Sequence, residues 1–261
     1  MLTETHAGVI LRGLRHQRRL TLEQLAGPQL RLRRLQLIED GVDPTAGELQ
    51  RLAAILQVSP QVLASGLSAE RGATIRADMT AAQDPLDHGH AALARQRFSA
   101  VVGDPELGSR PDLWRRAELG LALAEEADGD LVAAMARLRH LLEVTAPLDV
   151  PLPPMTFEDR EETDQRIGIA LALCRCLRET GDLEGSIKLG EQAFARELEG
   201  GWSDHGIELG ATLLAAYIER GELTTCQALT SQLLDAADKL GTPRAQRAIC
   251  WNGATVAAML G

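Results

Sequence analysis

Aromatic side chains are scarce in this chain: three Phe, three Trp and one Tyr make up 3% of 261 residues. Runs of β-branched residues are also missing, which argues against a sheet core. No window approaches the roughly 18 consecutive apolar residues of a membrane-spanning helix. The start, MLTETHAGVILRG, has no basic leader before its short apolar stretch, so no secretory signal is expected. Only four cysteines occur, at 174, 176, 226 and 250, and they form neither a disulfide framework nor paired CxxC metal ligands. Cys174 and Cys176 lie two apart on one helix and point to different faces. A reduced, cytoplasmic setting follows. There is no GxxxxGK[ST], no GxGxxG after a strand, no GxSxG and no HExxH. Nothing positions a Ser/His/Asp set, so no enzymatic activity and no cofactor are expected. His88 and His90, at a turn with Asp84 and Asp87, are the one conceivable metal cluster, and no metal is expected there.

Leucine and alanine carry most of the 45% hydrophobic content, and both are strong helix formers. The expected fold class is all-α. The net charge of −10 is unevenly spread: residues 1–66 carry +2 and the remainder −12. Residues 12–34 hold seven Arg against one acid, Glu23, which marks a small basic module on an acidic body.

Within that module, residues 6–18 read as an amphipathic helix with Ile10, Leu11 and Leu14 on one side. Thr21 with Gln24, and Thr45 with Glu48, form capping boxes that each open a helix. Gly27-Pro28 ends the first of these helices and Gly41 stops the segment between them. That middle segment places Leu30, Leu35 and Ile38 on one buried stripe, with Leu32 and Leu37 less clearly buried. A last short helix starts near Ser59-Pro60. Five short helices thus occupy about 66 residues.

The marks L-R-x-L-R at 11–15, L-T-x-E-Q-L-A at 20–26, I-E-x-G at 38–41 and L-x-x-L-A-x-x-L-x-V-S-P from 49 to 60 resemble the XRE-family helix-turn-helix. The L-A-G-P variant before the third helix resembles actinobacterial members, many of which carry C-terminal helical repeats. The resemblance implies that the third helix, about 31–39, enters the major groove of double-stranded DNA. Arg31, Arg33, Arg34 and Gln36 would then read bases, Arg pairing with guanine and Gln with adenine. Arg12, Arg15, Arg18 and Arg19 would hold phosphates. The sequence departs from the family at Arg31, where a Ser-like N-cap is usual, at Leu22, and at Val42-Asp43, where a basic residue is common.

From residue 67 the chain repeats. Turn-like glycines stand at 89, 129, 181 and 221, spaced 40, 52 and 40. A Pro-rich insert, about 146–160, accounts for the long middle spacing. Five residues after each glycine come Ala94, Ala134, Ser186 and Cys226, all small. Seven before come Ala82, Ala122, Cys174 and Leu214, and Ala254 continues that column. Small residues let two antiparallel helices approach closely. The pattern predicts a TPR-like α-solenoid over 67–261, although the period exceeds the usual TPR length of about 34. Such arrays bind through a concave groove, here expected to be lined by Arg116, Arg175, Arg178, Glu208 and Asn252. The string DREETD at 159–164 reads as a solvated first turn. The last helix, about 243–260, ends in AAML, which predicts either continuation of the chain or contact with a second subunit.

Two functions remain open on these grounds. One is a homodimeric DNA-binding transcription regulator whose array takes a peptide, small-molecule or protein effector. The other is a protein-interaction scaffold with a degenerate helix-turn-helix that does not bind DNA.

Overall fold

A computed structural model of the chain describes residues 6–27, 30–145, 157–200, 202–240 and 242–260, with side chains outside the described set at 6, 157–163, 196–200, 244–245, 248, 251–252, 256 and 259–260. Among the described residues it contains fourteen α-helices and no β-strand. The expected all-α class, a helix-turn-helix module followed by TPR-like helical hairpins, is what is found. The chain forms two compact units, Met1–Gly129 and Asp130–Gly261.

The first unit opens with α1 (His6–Gln17), α2 (Leu22–Leu25), α3 (Leu32–Glu39), α4 (Ala46–Leu56) and α5 (Pro60–Ser65). Both capping boxes form: Thr21 and Thr45 accept from the amides of Gln24 and Glu48, whose side chains accept in return from the cap amides. Ser59 caps α5 by accepting from the Val62 amide, ahead of Pro60 at the first helical position. Gly41 ends the α3 segment at φ 102°. The expected stripe is the core: Ile10, Leu11, Leu14, Leu30, Leu35 and Ile38 are buried with Leu52, Leu56 and Leu63. Each buried leucine or isoleucine contributes roughly 1.5–3 kcal/mol, which fixes the angle between helices as short as four residues.

The same unit continues through α6 (Ala69–Asp87), α7 (Ala91–Val102), a 3-10 turn (Leu107–Ser109) and α8 (Pro111–Ala127). Pro85 lies inside α6, buried, and lacks the amide that would bond the carbonyl of Ala81 four residues back. Arg97 of α7 supplies the missing donor, its guanidinium 2.6 Å from that oxygen. Helix α1 packs on the 3-10 turn and on α8. A Cβ added at Gly13 would collide with the Gly108 carbonyl oxygen, and one added at Gly108 would collide with the backbone of Gly13 and Leu14. Two facing glycines therefore let the chain cross at backbone contact. Gln17 reinforces the crossing: its amide donates to Asp104 O at 2.5 Å and its oxygen accepts from Gly108 N at 2.8 Å.

The second unit holds α9 (Leu131–Val144), α10 (Phe157–Glu179), α11 (Leu183–Gly200), α12 (Asp204–Arg220), α13 (Leu223–Leu240) and α14 (Pro243–Leu260). One cluster from Ile167 to Ile249 forms its core. The insert expected at 146–160 falls outside the described residues up to 156, and from 157 it is the start of α10. The string 159–164 therefore lies in the first turns of that helix.

The four turn glycines expected in the repeats, Gly89, Gly129, Gly181 and Gly221, all adopt φ between 77° and 86°. After Gly89, Gly181 and Gly221 the next amide reaches back to Pro85, Leu177 and Tyr217, closing the helix end as a Schellman motif does. The small columns are buried: Ala82, Ala94, Ala122, Ala134, Cys174, Ser186, Leu214 and Cys226 are all at most 1% exposed. At the α10–α11 hairpin the columns touch, with Ser186 Oγ donating to Cys174 O at 2.9 Å and Cys174 Sγ to Ser186 O at 3.3 Å. Burial pushes the Cys174 thiol up to about 12, so it is a packing group, not a nucleophile. Ala254 departs from its column by being exposed.

Candidate nucleic-acid interface

The turn between α2 and α3 is pinned by reciprocal backbone hydrogen bonds of Gly27 and Leu30, each 3.1 Å. Leu35, Ile38 and Glu39 turn inward from α3. At 100° per residue the opposite face carries Arg33, Gln36, Leu37 and Asp40, and all four are exposed. Arg31 is the N-cap of α3, with φ −71° and ψ 146°, and its side chain makes no capping hydrogen bond. The first amides of α3 are therefore left without a side-chain acceptor.

The eight arginine and glutamine positions expected to read bases or phosphates in the first helices separate sharply by partner. Arg15 forms a bidentate pair with Glu39 at 2.7 and 2.9 Å and also donates to Leu20 O at 3.0 Å. Arg12 donates to Glu39 O at 2.7 Å and approaches the Glu39 carboxylate at 3.5 Å. The Glu39 side chain is only 6% exposed, so these two cations neutralise a buried acid where α1 meets α3. Arg18 donates to Leu14 O at 3.1 Å and Pro105 O at 2.9 Å, and burial lowers its pKa. Arg34 pairs with Glu48 at 2.8 and 2.9 Å and with Asp43 O at 2.9 Å. The Arg34 guanidinium, with the Thr45 amide and hydroxyl, holds the Glu48 carboxyl down to about 2.

Arg19, Arg31, Arg33 and Gln36 are exposed, and no side-chain hydrogen bond or ion pair engages them among the described residues. Arg19 sits at φ 53° in the turn after α1. Three unpaired cations and one free amide thus mark this surface. What sequence reasoning missed is that Glu39 takes Arg15 and Arg12, and that Glu48, expected only as the capping partner of Thr45, also takes Arg34. Their signal was position: each is an acid on an otherwise apolar stripe, within reach of an arginine on another helix.

The residues expected in an effector groove are distributed differently. Arg116 is exposed on α8 of the first unit. In the second unit Arg175 and Arg178 are half-buried on α10, and Glu208 is half-buried on α12. Arg178 is already paired with Glu219 at 2.7 Å. Asn252 lies in α14 with its side chain outside the described set. A cleft of about 400 Å³ opens between α6 and α7, floored by Ile75 and Val101. Its Arg71 is paired with Asp104 and its Arg97 with the Ala81 carbonyl. No group of three His, Cys, Asp or Glu side chains able to hold a metal ion occurs among the described residues, and no described helix is long and apolar enough to cross a membrane.

No family model matches the sequence, and no curated protein matches it either. The fold is similar to that of PlcR from Bacillus thuringiensis, solved in complex with the peptide PapR7 and DNA, with a TM-score of 0.58 and 14% sequence identity over 98% of this chain and 88% of that chain. At that identity the likeness is one of fold alone.

Proposed function

We propose that this protein is a sequence-specific DNA-binding transcription regulator of the XRE type, working as a cytoplasmic homodimer and controlled by an effector bound to its TPR-like hairpins. The observation that carries the reading is the unpaired set Arg31, Arg33 and Gln36 on α3, together with Arg19 in the turn after α1. Elsewhere in the module arginines are satisfied by acids or carbonyls. Exposed cations kept without partners fit a polyanion. Arg33 and Gln36 take the base-reading roles, for guanine and adenine edges respectively. Arg31, expected from the resemblance to read a base, is the N-cap of α3 and takes, with Arg19 in the turn after α1, the phosphates of a duplex. Arg12, half-exposed at 48%, is already held by Glu39 and lies beside Asp40, so it is not one of the free cations. Arg15, Arg18 and Arg34 act through structure, holding the helices that present the others. Fold likeness to a protein solved with both a peptide and DNA supports two partners of those classes. The hairpin residues Arg116, Arg175, Arg178, Glu208 and Asn252 remain the candidates for the effector.

The test is selection of binding sites by the full chain from a random duplex pool at two salt concentrations. An enriched repeated or palindromic half-site supports the regulator, and Arg33→Ala then relaxes the preference at one base pair of that half-site. The competing reading is a protein scaffold with a degenerate module. It is favoured by the internal pairing of Arg12, Arg15 and Arg34, and it predicts weak binding without enrichment in the presence or absence of candidate peptides.

A further inference from the structure

The exposed face of α3 contains a residue that electrostatics does not explain. Leu37 is 42% exposed, one turn after Arg33 and next to Gln36, in the middle of that face. Single exposed leucines are common and need no account. This one has a companion. Val42 is also 42% exposed, and its amide donates to Leu37 O at 2.9 Å, so both apolar residues emerge at the same end of the helix. Burial was available to the sequence two positions earlier and one position later, as Leu35 and Ile38 show at 0%. The apolar pair is bordered by unpaired Arg33 and Gln36 on one side and by Asp40, 4.0 Å from the Arg12 guanidinium, on the other, and the free cation suits a surface that is anionic around a small apolar group.

In the major groove the only apolar group on any base edge is the C5 methyl of thymine. Resting on the DNA-binding reading above, we infer that Leu37, with Val42 beside it, is a specificity-determining residue that reads thymine through its methyl group. Arg33 and Leu37 are four residues apart, which separates them by about 6 Å along the helix axis. That spans about two base-pair steps of duplex at roughly 3.4 Å each. The selected half-site should therefore contain a thymine within one or two base pairs of the guanine read by Arg33. Replacing Val42 by a basic residue, the family's commoner choice, would give a phosphate contact in place of this apolar wall.

The experiment uses the full chain and duplexes of the selected site in which each thymine in turn is replaced by uracil. Uracil keeps the hydrogen-bonding edge and lacks only the methyl. At one position the wild-type protein should lose about three- to fivefold in affinity, the worth of one buried methyl. Leu37→Ala should bind thymine and uracil duplexes equally at that position, with an unchanged unfolding midpoint because Leu37 is exposed. Tight, sequence-selective binding with no uracil effect at any position overturns the inference and leaves the regulator reading standing. A uracil effect that survives Leu37→Ala also overturns it, by assigning the methyl contact to another residue. Absence of selective duplex binding overturns the regulator reading and this inference together.

Discussion

Arg15 and Arg33 differ in whether the protein already holds an anion for them. Arg15 is closed on Glu39, whose side chain is 6% exposed, while Arg33 faces solvent. Removing one partner of a buried pair strands the other charge, and such losses run to about 3–5 kcal/mol. Arg15→Ala should fall toward the lower end of that range, because Arg12 remains 3.5 Å from the Glu39 carboxylate. Arg33→Ala should stay within about 0.5 kcal/mol of the wild type, as surface changes do, while costing about 1–3 kcal/mol of discrimination at one base pair. Urea midpoints and duplex titrations on both variants read the two effects separately. Equal stability of the two variants would remove the structural role given to Arg15. Glu48 offers a pH test of the same kind. Its folded pKa of about 2 lies below the roughly 4.3 of an unfolded glutamate. The stabilisation from its pair with Arg34 is thus fully present above the unfolded value and is lost as pH falls through about 2. Glu48→Gln still accepts the Thr45 amide but cannot carry the charge. It should be less stable than the wild type at neutral pH, and the gap should close on acidification toward pH 2, followed by urea midpoints along the series.

At the scale of elements, the contact between α1 and the 107–109 turn is the least forgiving in the first unit. Gly13 and Gly108 face each other at backbone distance, with Pro111 also against the Gly13 position. A Cβ at Gly13 has backbone oxygen, not a flexible side chain, in its way, so the helix must shift. Overpacking of this sort costs typically about 1–3 kcal/mol. Gly13→Ala should therefore lower the urea midpoint even though alanine is the better helix former, whereas Gly47→Ala, whose nearest atom is an Arg51 guanidinium nitrogen at 3.4 Å, should not. This contact was invisible in the sequence, because it joins residues about ninety positions apart and neither Gly13 nor Gly108 belongs to the periodic series of turn glycines. What was legible is what is local. The Thr21 and Thr45 capping boxes involve three-residue spacings, and the positive-φ turns at Gly89, Gly129, Gly181 and Gly221 needed only the residue type and its period. The small columns were legible for the same reason, and Ser186 against Cys174 is where they meet. The roles of individual arginines were not legible. Arg33 and Arg34 are neighbours with the same side chain, and only the tertiary position of Glu48, fourteen residues on, commits one of them.

For the molecule as a whole, the proposed regulator reading calls for two modules, because charge and length limit what one could do on DNA. An eight-residue α3 spans about 12 Å. That reaches about three or four base pairs at roughly 3.4 Å each, too short a word to be unique in a genome. The acidic balance of −12 beyond residue 66 also works against duplex binding, leaving the few unpaired cations of the first forty residues to attract DNA. A homodimer doubles both the reading length and the phosphate contacts, and the counterion count distinguishes it from a monomer. With Arg19 and Arg31 each neutralising one phosphate in each of two modules, log K should fall with log salt at a slope of about −3.6. One module alone gives about −1.8. Arg19→Gln removes one contact per module and should halve the dimer's slope while leaving the selected sequence unchanged, since phosphates carry no sequence information. Titration of a fixed duplex at four or five salt concentrations measures both slopes. A wild-type slope near −1.8 with a single half-site selected would mean that one copy binds alone, and specificity would then have to come from the effector-bound state or from a second DNA contact elsewhere in the chain.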